Sequence, residues 1–186
     1  LPAEFHTNVK AGGADIRITE SDAVTELARE VVDYNATNDT GEIHFLIPSF
    51  TSADTEFYIY YGNAAASNYA DTDTYGRNAV WVIYELVIHG GLVDSSGNGT
   101  SLTTSAVTTT QSQYKFGTAS VNFPGTPTSQ KLKTPSISGR TITTWSRVTT
   151  STPNNGYLMD LRTGLASGYL YQLSDYPSTN NITPFY

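Results

Sequence analysis

Cysteine is absent from the 186-residue chain, which excludes disulfides, thiolate-held metals and cysteine nucleophiles but leaves the compartment open. Positive charge is scarce: 10 Lys and Arg stand against 17 Asp and Glu, for a net charge of −7. Affinity for nucleic acid comes largely from neutralising phosphates, so no nucleic-acid partner is expected. No apolar run approaches the roughly 20 residues that span a bilayer, so membrane insertion is not expected either. The chain opens with neither Met nor a basic-then-apolar leader, and Leu1 reads as a processed or incompletely recorded start. There is no Gly-x-Ser-x-Gly elbow for a nucleophilic serine. Fixed-period repeats and heptads are missing too.

Charged residues make up only 15% of the chain, while Thr, Ser, Asn, Gly and Tyr are plentiful. That balance suits extracellular β-sandwiches, whose exposed faces carry hydroxyls and rings. The charge is uneven along the chain. Residues 1–93 hold 14 acids and 4 bases, whereas 94–186 hold 3 and 6. Such asymmetry fits two domains with different solvated surfaces, or head-to-tail contact between copies. Asn-x-Thr sequons at Asn35, Asn38, Asn98 and Asn181 matter only if a eukaryote secretes the chain.

The strongest local signal is Ala53–Asn63. Phe57, Ile59 and Tyr61 alternate with Tyr58 and Tyr60 before a Gly62-Asn63 turn, the pattern of a strand with rings on both faces. Both faces are expected to be covered, by a second sheet, a loop or a neighbouring subunit. Further strands are expected at Phe5–Val9, across Ala14, Ile16 and Ile18 and at Glu42–Ile47, while Thr25–Tyr34 fits a short helix by composition or, as favoured here, a strand ending in a turn. Asp15 and Arg17 share a face and could pair with each other or with neighbouring strands. Ala64–Asn78 reads as a connection, with Asp71 and Asp73 as solvated loop acids. A second unit opens with the apolar run from Val80 and passes through a Thr/Ser tract at Thr100–Thr110. Its strands are expected at Ala119–Phe123, Gln130–Lys133, Thr141–Val148, Tyr157–Arg162 and Gly168–Leu173. The expected fold is all-β, with two antiparallel β-sandwich units spanning 1–78 and 79–186.

Three elements in the first unit occur in order: Lys10-Ala11-Gly12-Gly13-Ala14-Asp15-Ile16-Arg17, then Ile47-Pro48, then Tyr60-Tyr61-Gly62-Asn63. In these the first 80 or so residues resemble a family of bacterial and phage domains of unknown function. The resemblance implies a following concanavalin/laminin-G-like jelly roll. Trp81, Tyr84, His89, the Asp94–Gly99 hexapeptide, Phe116-Gly117-Thr118-Ala119, Phe123, Gly125, Ile142 and Trp145 fit its opening. Relative to that family the second unit ends early at Tyr186, either abbreviated or completed by unrecorded chain or another subunit. The resemblance also implies adhesion, glycan contact or assembly, and it carries no catalytic residues.

Asp94, Ser96 and Asn98 alternate ahead of Gly99, the opening of a calcium loop in which hard oxygens converge. The acid an EF-hand needs at its twelfth position is replaced by Ser105, which leaves a β-type calcium site or a tight turn. In the turn, Asp and Asn side chains cap backbone amides while Gly97 and Gly99 take positive φ. Calcium at this loop is the one cofactor considered. His6, His44 and His89 are far apart, and nothing in their spacing makes them converge. Glycosidase chemistry needs two carboxylates about 5–10 Å apart across a cleft, and residues 94–186 hold only Asp94, Asp160 and Asp175 as acids. Trp145, Tyr157, Tyr169, Tyr171 and Tyr176 could be core, subunit interface or glycan-stacking platform.

The expectation is therefore a non-enzymatic structural or adhesive protein, extracellular, on a cell surface or on a virion, for example a phage tail or decoration component. Its partners would be copies of itself or other particle and surface proteins. A lectin-like module binding cell-surface glycan is the alternative, and a polysaccharide hydrolase the third reading.

Overall fold

The structure, a computed structural model, describes residues 2–50, 54–89, 91–110, 112–124, 130–135 and 141–145, together with the backbone of 156–160, 170–176 and 179–185. It is all-β, its strands paired antiparallel in small sheets. Two compact units are present, Leu1–Thr141 and Ile142–Tyr186. Among the described residues no helix is long and apolar enough to cross a membrane.

The first unit opens with α1 (Ala3–Asn8), where the sequence pattern had suggested a strand. Phe5 and Val9 satisfy both patterns, being two strand periods apart and also one helical turn apart. Local bonds favour the helix. Phe5 N–H donates to Pro2 O and Val9 N–H to Phe5 O, while Thr7 Oγ1 and Asn8 Nδ2 donate back to Ala3 O and Glu4 O. Phe5 and Val9 then enter the core together.

Strand β1 (Arg17–Glu20) pairs with β4 (Phe57–Tyr60), with Ile18 opposite Ile59. Strands β2 (Arg29–Asn35) and β3 (Thr40–Phe45) form a hairpin, with a register shift between Val31 and Asp33. Its turn is closed by Asn35 Oδ1, which accepts from Thr37 N–H and Asn38 N–H. The core is Phe5, Val9, Ile16, Ile18, Leu27 and Tyr34, with Val31, Ile43, Phe45, Phe57, Ile59 and Tyr61 packed against it. Burying an aliphatic or aromatic side chain stabilises by about 1.5–3 kcal/mol, so this cluster supplies the main apolar driving force of the unit.

Among the described residues no sheet or loop closes the outer face of β4, which leaves a neighbouring subunit as its expected cover. The strand's residues alternate between half-buried and exposed, leaving Tyr58 and Tyr60 at 45% and 44% exposure. The expected alternation around Asp15 fails. Asp15 is as buried as Ile16, and it does not pair with Arg17. Its Oδ1 accepts from Lys10 N–H (2.9 Å) and its Oδ2 from Gly62 N–H (2.7 Å). Arg17 turns to Ser67 O, to Glu26 and to the face of Tyr69, and Lys10 Nζ donates to Ala64 O and Ala66 O. The Lys10–Arg17 element thus staples the segment after β4 through charge-assisted bonds.

Beyond Asn63, α2 (Arg77–Val80) leads into turns. Strand β5 (Thr103–Ser105) pairs with β8 (Lys131–Lys133), and β6 (Thr108–Thr110) with β7 (Ser120–Asn122), one pair nested inside the other in chain order. The Thr/Ser tract therefore holds two strands that its composition had not signalled.

In the second unit, β9 (Gly156–Asp160), β10 (Leu170–Tyr176) and β11 (Thr179–Phe185) form one sheet ordered β11-β10-β9. Pro184 lies on the outer strand β11, and edge strands are where proline is tolerated. The strand expected at Thr141–Val148 is not seen over 141–145; the remainder of it lies outside the described residues.

Candidate functional site

Alternation gives the β2–β3 hairpin two unlike faces. Val31 sits opposite Ile43 and faces the core, whereas Glu30 sits opposite His44 on the other side. Glu42 is two residues from His44 and shares its face. On that polar face Glu42 Oε1 lies 2.7 Å from His44 Nε2.

Chain far downstream closes over it. Trp81, just past α2, donates its Nε1–H to Glu30 Oε2 at 2.5 Å. His89 places Nε2 3.2 Å from the same oxygen and Nδ1 3.9 Å from Glu42 Oε1. The His44 and His89 rings stack at 4.8 Å, and Trp81 lies 5.0 and 5.2 Å from them. Glu42 Oε2 accepts from Gly117 N–H at 2.6 Å. Gly117 has φ of +72°, and a Cβ there would collide with the His89 carbonyl. Only glycine lets this loop approach so closely.

Burial divides the cluster. The Glu30 and His89 side chains keep 9% and 11% of their surface, while Glu42 and His44 keep 21% and 29%. Burial alone would raise the Glu30 pKa, but the adjoining His89 imidazole and the hydrogen bond from Trp81 outweigh it, leaving the carboxyl below its usual value. Glu42, His44 and His89 are the described residues whose donor atoms could jointly hold a metal ion. The sequence reading did not bring His44 and His89 together. The only available signal was Glu42-x-His44 on a strand, which is weak alone. His6 stands apart on α1, stacked on Tyr34 and 3.8 Å from Asp39.

A cleft of about 330 Å³ adjoins the cluster, lined by Glu30 and His89 together with Arg29, Tyr69 and Arg77. Arg29 Nε and Arg77 Nε are buried without a hydrogen-bond partner. Burial and the nearby Arg17 charge lower the Arg29 pKa. Asp71 pairs with Arg77 at 2.7 Å, and Asp73 accepts from Tyr75 N–H.

Asp94, Ser96 and Asn98 do come together, around their own turn. Asp94 Oδ1 accepts from Val87 N–H and Ser96 N–H, and Oδ2 from Ser96 Oγ and Thr100 N–H. Burial would raise the Asp94 pKa, but these bonds bring it down to about 2. Asn98 Nδ2 donates to Tyr84 O and Glu85 O, and Gly97 and Gly99 have positive φ. Both carboxylate oxygens are thus engaged by protein donors. Of the aromatic candidates, Trp145 is 66% exposed. Tyr169 lies outside the described residues. Tyr157 falls on β9 and Tyr171 and Tyr176 on β10, with side chains outside the description.

Residues 12–82, which carry the polar hairpin face, match a family model described as a domain of unknown function, DUF2341. That agrees with the expectation of an uncharacterised domain over the first 80 or so residues. The match takes in Glu30, Glu42, His44 and Trp81 and stops short of His89. No curated protein and no solved structure matches the chain.

Proposed function

We propose that this protein is a non-enzymatic structural or adhesive component, extracellular, on a cell surface or on a virion, that assembles with copies of itself or with other surface proteins. The observation that supports it is β4. Among the described residues its only strand partner is β1, and its outer face presents Tyr58 and Tyr60 to solvent. An unpaired edge beside exposed rings suits strand addition or burial against a second subunit, where Tyr is enriched. The nested β5·β8 and β6·β7 pairs support reading the later chain as part of a jelly roll, which winds as nested hairpins.

Light scattering across a concentration series tests the assembly. The wild-type chain is expected to associate, and a Tyr58→Ser/Tyr60→Ser double variant to stay monomeric. An interface of this kind should bury more than about 1,000 Å² in total. A wild-type chain that is monomeric throughout would remove self-assembly.

A second reading, a glycan-binding module, is favoured by the cleft. Its lining includes Arg29, Arg77 and Tyr69, residue types that suit the oxygens and ring faces of an acidic sugar. On a sugar array it predicts binding that Arg77→Gln weakens.

A further inference from the structure

We propose that Glu42, His44 and His89 form a binding site for a divalent transition-metal cation of the zinc type. Each side chain offers one donor atom, and these atoms all lie within 4.8 Å of one another. Around a tetrahedral ion with bonds of about 2.0–2.2 Å, neighbouring donors stand roughly 3.3–3.5 Å apart. The gaps from Glu42 Oε1 to His44 Nε2 (2.7 Å) and to His89 Nδ1 (3.9 Å) straddle that spacing. Side-chain movements of at most about 1.5 Å close these separations to that spacing.

The surrounding groups are those that orient metal ligands. Glu42 Oε2 is held by Gly117 N–H, which leaves Oε1 to face the two imidazoles. His89 presents Nδ1 to Glu42 while Nε2 sits 3.2 Å from Glu30 Oε2, in a contact too bent to be a hydrogen bond as it stands. A carboxylate behind an imidazole in this way sets the tautomer and raises the basicity of the other ring nitrogen. Glu30 is anchored in turn by Trp81. The greater exposure of Glu42 and His44 leaves an approach from solvent and a fourth position for water.

Two imidazoles and a carboxylate favour Zn²⁺, Ni²⁺ or Cu²⁺ over Ca²⁺ and Mg²⁺, which prefer all-oxygen sites. The ligands come from β3 and from a loop far along the chain, so an ion would tie that loop to the hairpin and stabilise the folded state. All three belong to one chain, so the site is independent of the assembly proposed above.

The test uses the full chain, stripped with a chelator and titrated with Zn²⁺ by calorimetry, and with Co²⁺ by visible absorption. One ion per chain, a raised melting temperature and the ligand-field bands of tetrahedral Co²⁺ are expected. His44→Ala and His89→Ala should each weaken Zn²⁺ at least about 100-fold and Glu30→Gln about 10-fold, while His6→Ala changes nothing. Wild type lacking saturable Zn²⁺ binding and tetrahedral Co²⁺ bands would overturn the proposal, as would undiminished affinity in a folded His44→Ala/His89→Ala variant. If the variants fail to fold, the wild-type cobalt spectrum decides.

Discussion

The two faces of the β2–β3 hairpin share a backbone and a register yet do different work. One lays Val31, Ile43 and Phe45 against the core around Ile18 and Phe5. The other holds Glu30, Glu42 and His44 beneath Trp81 and His89. Apolar burial is non-directional and tolerates small shifts, whereas a polar face costs stability unless each group finds a partner. The core face accounts for folding, and the polar face holds the chemistry in place.

The sharpest way to break that contrast is to truncate each face. Ile18→Ala, at a position with 1% exposure, should cost about 2–5 kcal/mol in urea unfolding. His44→Ala, measured with chelator present, should cost below about 1 kcal/mol. Equal losses would mean that the polar face belongs to the core.

Asp94 comes next. Asp94→Ala strands three backbone donors and should cost about 2 kcal/mol at neutral pH. Because its folded pKa lies at about 2, below the ordinary 3.8 of an unperturbed aspartate, its contribution is complete above the unfolded pKa and lost as pH falls through the folded one. The stability gap between wild type and Asp94→Ala should therefore narrow from pH 5 to pH 2. A gap that stays constant would show that the carboxylate charge is not what holds the turn.

A smaller effect than at Asp94 is expected at Gly117. Gly117→Ala faces both a positive φ and the His89 carbonyl, and should cost about 1 kcal/mol or more. Because it displaces the donor to Glu42, it should also lower metal affinity. Unchanged affinity would show that the loop does not orient that carboxylate.

Much of the all-β framework was legible in residue order. Strands β2, β3 and β4 follow alternation of apolar and β-branched residues, and the 94–99 turn follows its glycines. The helix at Ala3–Asn8 was misread because Phe5 and Val9 fit both periods. Strands β5 and β6 were invisible because threonines carry no apolar alternation. The open face of β4 could not be read either, since rings on both sides of a strand signal capacity for burial and not its occurrence. The meeting of His44 with His89 left no trace in spacing at all.

Sequence alone determined the local conformations: extended segments where β-branched and aromatic residues alternate, and turns where glycine, asparagine and aspartate cluster. These depend on neighbours within a few residues. Tertiary structure decided that Asp15 grips Gly62 and not Arg17, and that Glu42, His44 and His89 meet. Such encounters depend on how distant segments dock to bury the core, and no short-range period encodes which polar groups that docking brings face to face.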